Sequence, residues 1–143
     1  MRGALLLLAG TLLLIGCGAP PRLRLASEAE RLPAPRFVVE GGRTSWDGAS
    51  FSVSACPLQP LLWALTARAP LAPPLHLTYG VPPAGLQEAS PAAPLAAGGL
   101  YLAAFVIGHR SSTLVLRVEL DGRVGAVDAP EACAAHAPPR REM

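Results

Sequence analysis

Short apolar segments that alternate with polar residues at every second position constrain the fold most strongly. Residues 50–55 and 114–120 show this alternation clearly. A period of two places one face of a strand on the core and the other toward solvent. The 14 glycines and 16 prolines separate and terminate such segments. The pattern predicts a mainly β fold, a small β-sandwich or a partly open barrel, over residues 36–133.

Several further elements follow from the same pattern. Residues 100–107 are continuously apolar, which predicts a central strand covered on both faces. Gly108 to Ser112 is predicted to be a hairpin loop, and Asp121-Gly122 a tight turn. Residues 61–66 fit either a strand or a short helix. Additional strands are predicted at residues 37–39, 75–79 and 123–127.

The segment from Leu95 to Tyr101 carries a local signal for the sandwich. Its sequence, Leu-Ala-Ala-Gly-Gly-Leu-Tyr, resembles the tyrosine corner of immunoglobulin-like and fibronectin type III domains. The resemblance implies that Tyr101 begins a strand and that its hydroxyl bonds to backbone a few residues upstream. Tyr101 is therefore expected to be structural.

The N-terminus has the three-part order of a secretory signal. Met1-Arg2 is a short positive region, and residues 4–15 form an uncharged apolar run. A run of about a dozen residues is shorter than the roughly 20 that a membrane-spanning helix needs. Residues 1–16 are accordingly predicted to be a cleaved signal peptide.

Leu14-Ile15-Gly16-Cys17 at the end of this run resembles the lipobox of bacterial lipoproteins. The resemblance implies cleavage between Gly16 and Cys17, a diacylglyceryl group on the Cys17 thiol, and acylation of the new amine with a fatty acid such as palmitate. Two or more lipid chains give stable membrane anchoring. An aspartate directly after the lipidated cysteine tends to retain lipoproteins in the inner membrane. This chain has Gly18 there, so the outer membrane, facing the periplasm, is favoured. As a whole, the chain resembles small lipoproteins of GC-rich bacteria, a resemblance that implies no activity.

The segments that flank the β domain are predicted to be irregular. Residues 17–35 contain four prolines mixed with arginine and glutamate and are interpreted as a lipid-anchored tether. Residues 134–143 are rich in alanine, proline and arginine, which predicts a disordered tail.

Two cysteines remain once Cys17 is assigned to lipid. Export into an oxidising compartment favours a disulfide between Cys56 and Cys133. Two alternatives stay open at this point. In the first, Cys133 and His136 have the spacing of half a metal site, although a second pair of ligands is lacking. In the second, the thiols of Cys56 and Cys133 are both free.

Composition excludes several function classes. All 12 basic residues are arginine, so a P-loop, a Schiff-base lysine and a Ser-Lys pair are excluded. The arginines are scattered and the formal net charge is only +2, which argues against nucleic-acid binding. No G-x-S-x-G or H-E-x-x-H motif occurs. We therefore expect no enzyme, no cofactor and no metal.

Three residues are candidates for ligand contact. His109 and Arg110 belong to the most polar cluster of the domain, and Trp46 precedes a turn. A solvated hairpin tip explains His109 and Arg110 equally well. The leading hypothesis is a non-enzymatic lipoprotein that contacts the membrane through its lipid and interacts with another envelope protein. The alternatives are a module that binds a small ligand or glycan, and an inhibitor of an exported enzyme.

Overall fold

A computed structural model describes residues 19–41, 45–56 and 60–128 together with Cys133. The fold is mainly β, with two antiparallel sheets that do not close into a barrel, as expected for a β-sandwich. The described residues form nine strands: β1 (Arg22–Leu25), β2 (Arg36–Glu40), β3 (Ser50–Ala55), β4 (Leu61–Ala67), β5 (Leu75–Thr78), β6 (Leu86–Ser90), β7 (Leu100–Ile107), β8 (Arg110–Val118) and β9 (Val124–Val127). The smaller sheet has the order β1-β2-β5, and the larger has the order β6-β4-β3-β7-β8-β9.

Strand β3 shows how alternation in the sequence becomes a core. Phe51 and Val53 are buried, whereas Ser50 and Ser52 on the opposite face are half-buried. The neighbouring strands place equally buried residues beside them: Leu65 and Trp63 on β4, and Phe105 and Ala103 on β7. Residues 61–66, which fitted a strand or a helix, lie in strand β4.

Aromatic side chains fill the space between the two sheets. Phe37 of the smaller sheet packs on Phe51 of the larger with ring centroids 5.4 Å apart, and Phe51 packs on Trp63 at 5.7 Å. Trp63 then packs on Tyr79 at 5.1 Å, with the two ring planes strongly tilted. Such pairs contribute about 0.5–1.5 kcal/mol each beyond the area they bury. This row of rings couples the two sheets.

The prediction that residues 100–107 are covered on both faces is wrong for the outer face. Strand β7 is central, between β3 and β8, and its inward residues Tyr101, Ala103 and Phe105 are buried. The outward residues are only half-buried, and Val106 is 38% exposed. The apolar run therefore exceeds what burial of the inward face alone requires.

Part of the segment interpreted as a tether belongs to the folded domain. Residues 22–25 form β1, which pairs with β2, and Leu23 is only 4% exposed. Farther along, Arg31 forms an isolated β-bridge with Arg123. The alternating Arg-Leu-Arg-Leu sequence is short and half charged, so its strand character depends on its neighbours rather than on its own composition.

Tyr101 makes the contact that the tyrosine corner implies. Its hydroxyl accepts a hydrogen bond from the Ala96 amide at 2.7 Å and lies 3.4 Å from the Ala96 carbonyl. A Cβ on Gly99 would come within 2.4 Å of this hydroxyl, so only glycine fits there. The hydroxyl of Tyr101 therefore fixes the turn before β7 against the first residues of that strand.

A disulfide joins Cys56 and Cys133, as the export signal predicted. Cys56 directly follows β3, and its amide donates to the Leu100 carbonyl at the start of β7. The bond spans 77 residues and ties the chain beyond edge strand β9 to the centre of the larger sheet. This bond excludes the alternative in which Cys133 and His136 form half of a metal site. His136 itself lies outside the described residues.

We predict that Cys133→Ser lowers the free energy of unfolding by about 2–4 kcal/mol, because the unfolded chain loses a long closed loop. Urea titration of the oxidised protein measures this difference. The reduced parent protein should unfold at nearly the same urea concentration as the variant. An unchanged midpoint after reduction would contradict a structural role for the bond.

The second internal tie is a buried carboxylate. Glu30 is 3% exposed and accepts hydrogen bonds from the Arg36 amide and guanidinium, at 2.9 to 3.1 Å, and from the Ser27 hydroxyl. Its own carbonyl accepts from the Val124 amide of β9. Hydrogen bonding from Arg36 outweighs burial and lowers the pKa of Glu30 to about 2. The ionised carboxylate therefore ties the β1–β2 connection to the start of β2, and the backbone carbonyl of the same residue ties it to β9.

Because the folded pKa of Glu30 lies below its ordinary value of 4.5, its contribution is complete above about pH 5 and is lost as the pH falls toward 2. We expect a loss of about 2 kcal/mol over that window, after allowing for the exposure of Arg36. Unfolding measured between pH 6 and pH 2 should show a weaker acid dependence for Glu30→Gln. The exposed neighbour supplies the control: Glu28→Gln should keep the parent profile. Equal profiles for Glu30→Gln and the parent would refute the assignment.

Candidate functional site

A cleft lies at the end of the sandwich where β7 turns into β8. Its volume is about 390 Å³. It brings together the three residues that the sequence singled out, Trp46, His109 and Arg110. The other lining residues are Ala19, Pro21, Ser45, Asp47, Ile107 and Gly108. The cleft is thus formed by three separate parts of the chain.

The β7–β8 connection places the polar residues of the cleft. Ile107 pairs with Arg110, so the turn between them consists of Gly108 and His109 alone. Gly108 has a φ of +56°, which glycine adopts without strain. The predicted loop to Ser112 is therefore too long. Ser112 belongs to β8, and its hydroxyl accepts a hydrogen bond from the Leu23 amide that fixes β1 against β8.

Trp46 is the floor of the cleft rather than an exposed platform. It is 1% exposed, and its ring packs on Phe105 with centroids 5.1 Å apart. Its amide and carbonyl both bond with Leu71 at 2.7 Å. A Cβ on Gly41 would come within 3.0 Å of the indole. Little of the indole is therefore left for stacking on a ligand.

The accessible chemistry of the cleft is charged and hydrogen-bonding. Asp47 and His109 are exposed, and Arg110 is half-buried. A carboxylate, an imidazole and a guanidinium at one rim suit a small polar or anionic group. Throughout residues 19–41, 45–56, 60–128 and Cys133, no group of three or more potential metal ligands occurs.

Ala19 and Pro21 are cleft residues that the sequence analysis missed, because they fall in the segment interpreted as a tether. Pro21 is buried, and its Cα lies close to Gly41. The proline pair at Pro20-Pro21 was the available signal, since proline fixes the path of the chain. The described chain thus begins inside the cleft. We call this end of the sandwich the anchor end; it comprises Ala19–Arg22, Glu40–Gly41, Ser45–Gly48, Arg68 and residues 108–110.

Among the described residues, the opposite end carries three of the four exposed large apolar side chains. Leu61 is 49% exposed, Val81 58% and Leu120 87%; the fourth such residue, Val106, lies elsewhere. We call the end that carries Leu61, Val81 and Leu120 the distal end. The uncharged segment 91–98 lies beside it, because Tyr79 donates to the Ala93 carbonyl at 2.5 Å. Burial raises the pKa of Tyr79 to about 12, so this hydroxyl remains a donor.

The lipidation residues predicted from the sequence, Gly16 and Cys17, lie outside the described residues, as does the predicted signal peptide 1–16. Within the described part of the chain, no helix is long and apolar enough to span a membrane.

No family model, no curated protein and no solved structure matches this chain.

Proposed function

We propose that this chain is a lipid-anchored, non-enzymatic protein of the bacterial cell envelope that interacts with another envelope protein. The observation that carries the proposal is the sequence Leu14-Ile15-Gly16-Cys17 directly behind an uncharged apolar run. That order combines an export signal with an acceptor for lipid. We place the mature protein on the outer membrane, facing the periplasm.

The position of Ala19 supports an oriented attachment. Cys17 precedes it by two residues, so the sulfur-bearing residue lies within about 7 Å of Ala19 even in a fully extended chain. Lipid on Cys17 would hold the anchor end close to the bilayer. The distal end would then face away from the membrane, toward soluble or neighbouring envelope proteins.

The exposed side chains of the distal end support an interaction role. Leu120 is 87% exposed beside a tight turn, and Val81 follows the turn after β5. A partner that covers these aliphatic side chains would remove them from water, so we place the interaction at this end. The alternative, a ligand-binding module, is favoured by the cleft but weakened by the burial of Trp46.

We predict that Cys17→Ala moves the protein out of the membrane fraction, since no thiol is left to carry lipid. Fractionation of cells that express the full chain measures this shift. Cys133→Ala is the matched control, because it removes a cysteine from the folded domain and should leave the protein at the membrane. Retention of Cys17→Ala in the membrane fraction would contradict anchoring at this residue.

A photo-reactive amino acid at Leu120 should give a discrete cross-linked product with an envelope protein in living cells. Gln87, which is exposed on strand β6, is the control position and should give none. Both positions are on the surface, so folding should be unaffected. The same product from both positions, or none from Leu120 or Val81, would count against a partner at the distal end.

A further inference from the structure

Positive charge is concentrated at the anchor end and on the strand next to it. Arg22 begins β1, Arg68 follows β4, and Arg110 lines the cleft. Arg24 lies on β1 as well. Against these four arginines stand two carboxylates, Glu40 and Asp47. This region therefore carries an excess of positive charge.

One of the two carboxylates is already engaged. Arg24 binds Glu40 at 2.7 Å, and this hydrogen bond lowers the pKa of the Glu40 carboxyl below its ordinary value. Arg22 lies opposite Glu40 in the strand register and is exposed, and its charge also contributes to the lowered pKa of the Glu40 carboxyl. Arg68 is also exposed, with its Nε donating to Gln87. The positive charges of Arg22 and Arg68 are thus presented to the medium.

The remaining described residues have the opposite balance. Six carboxylates and four arginines lie outside this region. The carboxylates are Glu28, Glu30, Glu88, Glu119, Asp121 and Asp128, and the arginines are Arg31, Arg36, Arg117 and Arg123. Charge is therefore distributed unevenly over the described residues. The positive region lies beside Ala19, from which the chain continues toward Cys17.

A shallow groove provides a place for a headgroup beside Arg22. It has a volume of about 580 Å³ and is lined by Ala19, Pro20, Pro21, Arg22, Glu40 and Gly41. The prolines and Ala19 offer apolar surface, and the Arg22 guanidinium offers donors that suit a phosphate. This pairing matches the apolar glycerol region and the phosphate of a phospholipid.

We infer that the anchor end is a contact surface for anionic phospholipid headgroups, which fixes the orientation of the domain on the bilayer. The inference rests on the proposed anchoring at Cys17, because that attachment brings this end to the membrane. Ala19, where this end begins, lies within about 7 Å of Cys17, which is less than the roughly 8 Å Debye length of physiological salt. Attraction to an anionic surface is effective at that range.

The test uses the exported, oxidised chain from Gly18 to Met143, which carries no lipid yet contains all nine strands and the disulfide. It should sediment with vesicles of phosphatidylcholine that contain phosphatidylglycerol, and molar salt should release it. Vesicles of phosphatidylcholine alone should not bind it. Arg22→Gln combined with Arg68→Gln should weaken binding about 25-fold, because the loss of each arginine weakens it about fivefold.

Arg117→Gln combined with Arg123→Gln is the matched control, because it removes the same charge outside the anchor end and should change binding less than about twofold. The thermal unfolding of both double variants should match the parent. Equal binding to the two kinds of vesicle, or equal loss in the two double variants, would overturn the inference. Anchoring is tested separately, by detecting lipid on Cys17. If Cys17 carries lipid but the protein binds both kinds of vesicle equally, the contact surface is refuted and the anchoring is not.

Discussion

Packing of aromatic rings between two sheets of unequal size is the interaction on which the rest of the structure depends. Phe37 belongs to the three-stranded sheet, and Phe51 and Trp63 belong to the six-stranded sheet. All three are at most 1% exposed. The Nε1 atom of Trp63 has no hydrogen-bond partner within the described part of the chain, a cost that the packing of this layer has to offset. The disulfide and the Glu30 network add ties at its margins.

This core produces a domain with two chemically different ends. The anchor end combines arginines with a cleft at the start of the described chain, and the distal end presents Leu61, Val81 and Leu120 to water. Both follow from antiparallel topology, because the turns of a sandwich collect at its two ends. An attachment at one end and a contact surface at the other require no catalytic side chain. That arrangement is consistent with the proposed interaction role.

The sequence was sufficient where a local rule acted alone. Strict alternation predicted β3, export predicted the Cys56–Cys133 bond, and polarity predicted a hairpin turn at His109, although Arg110 already belongs to β8. It was insufficient where tertiary pairing decided. Strand β1 is stable because β2 pairs with it, and β6 (Leu86–Ser90) is held at the edge by β4. The outer face of β7 is partly exposed because only the inward face of its sheet meets the core, an arrangement that no window of sequence reveals. Trp46 and Ala19 meet only in the folded chain.

The central claim is that this domain is held to a membrane by lipid on Cys17. The most direct measurement is mass spectrometry of the N-terminal peptide of protein isolated from cell envelopes. The account predicts a mature chain that begins at Cys17 and carries a diacylglyceryl thioether. A peptide with an unmodified Cys17 thiol, or with residues 1–16 still attached, would contradict it.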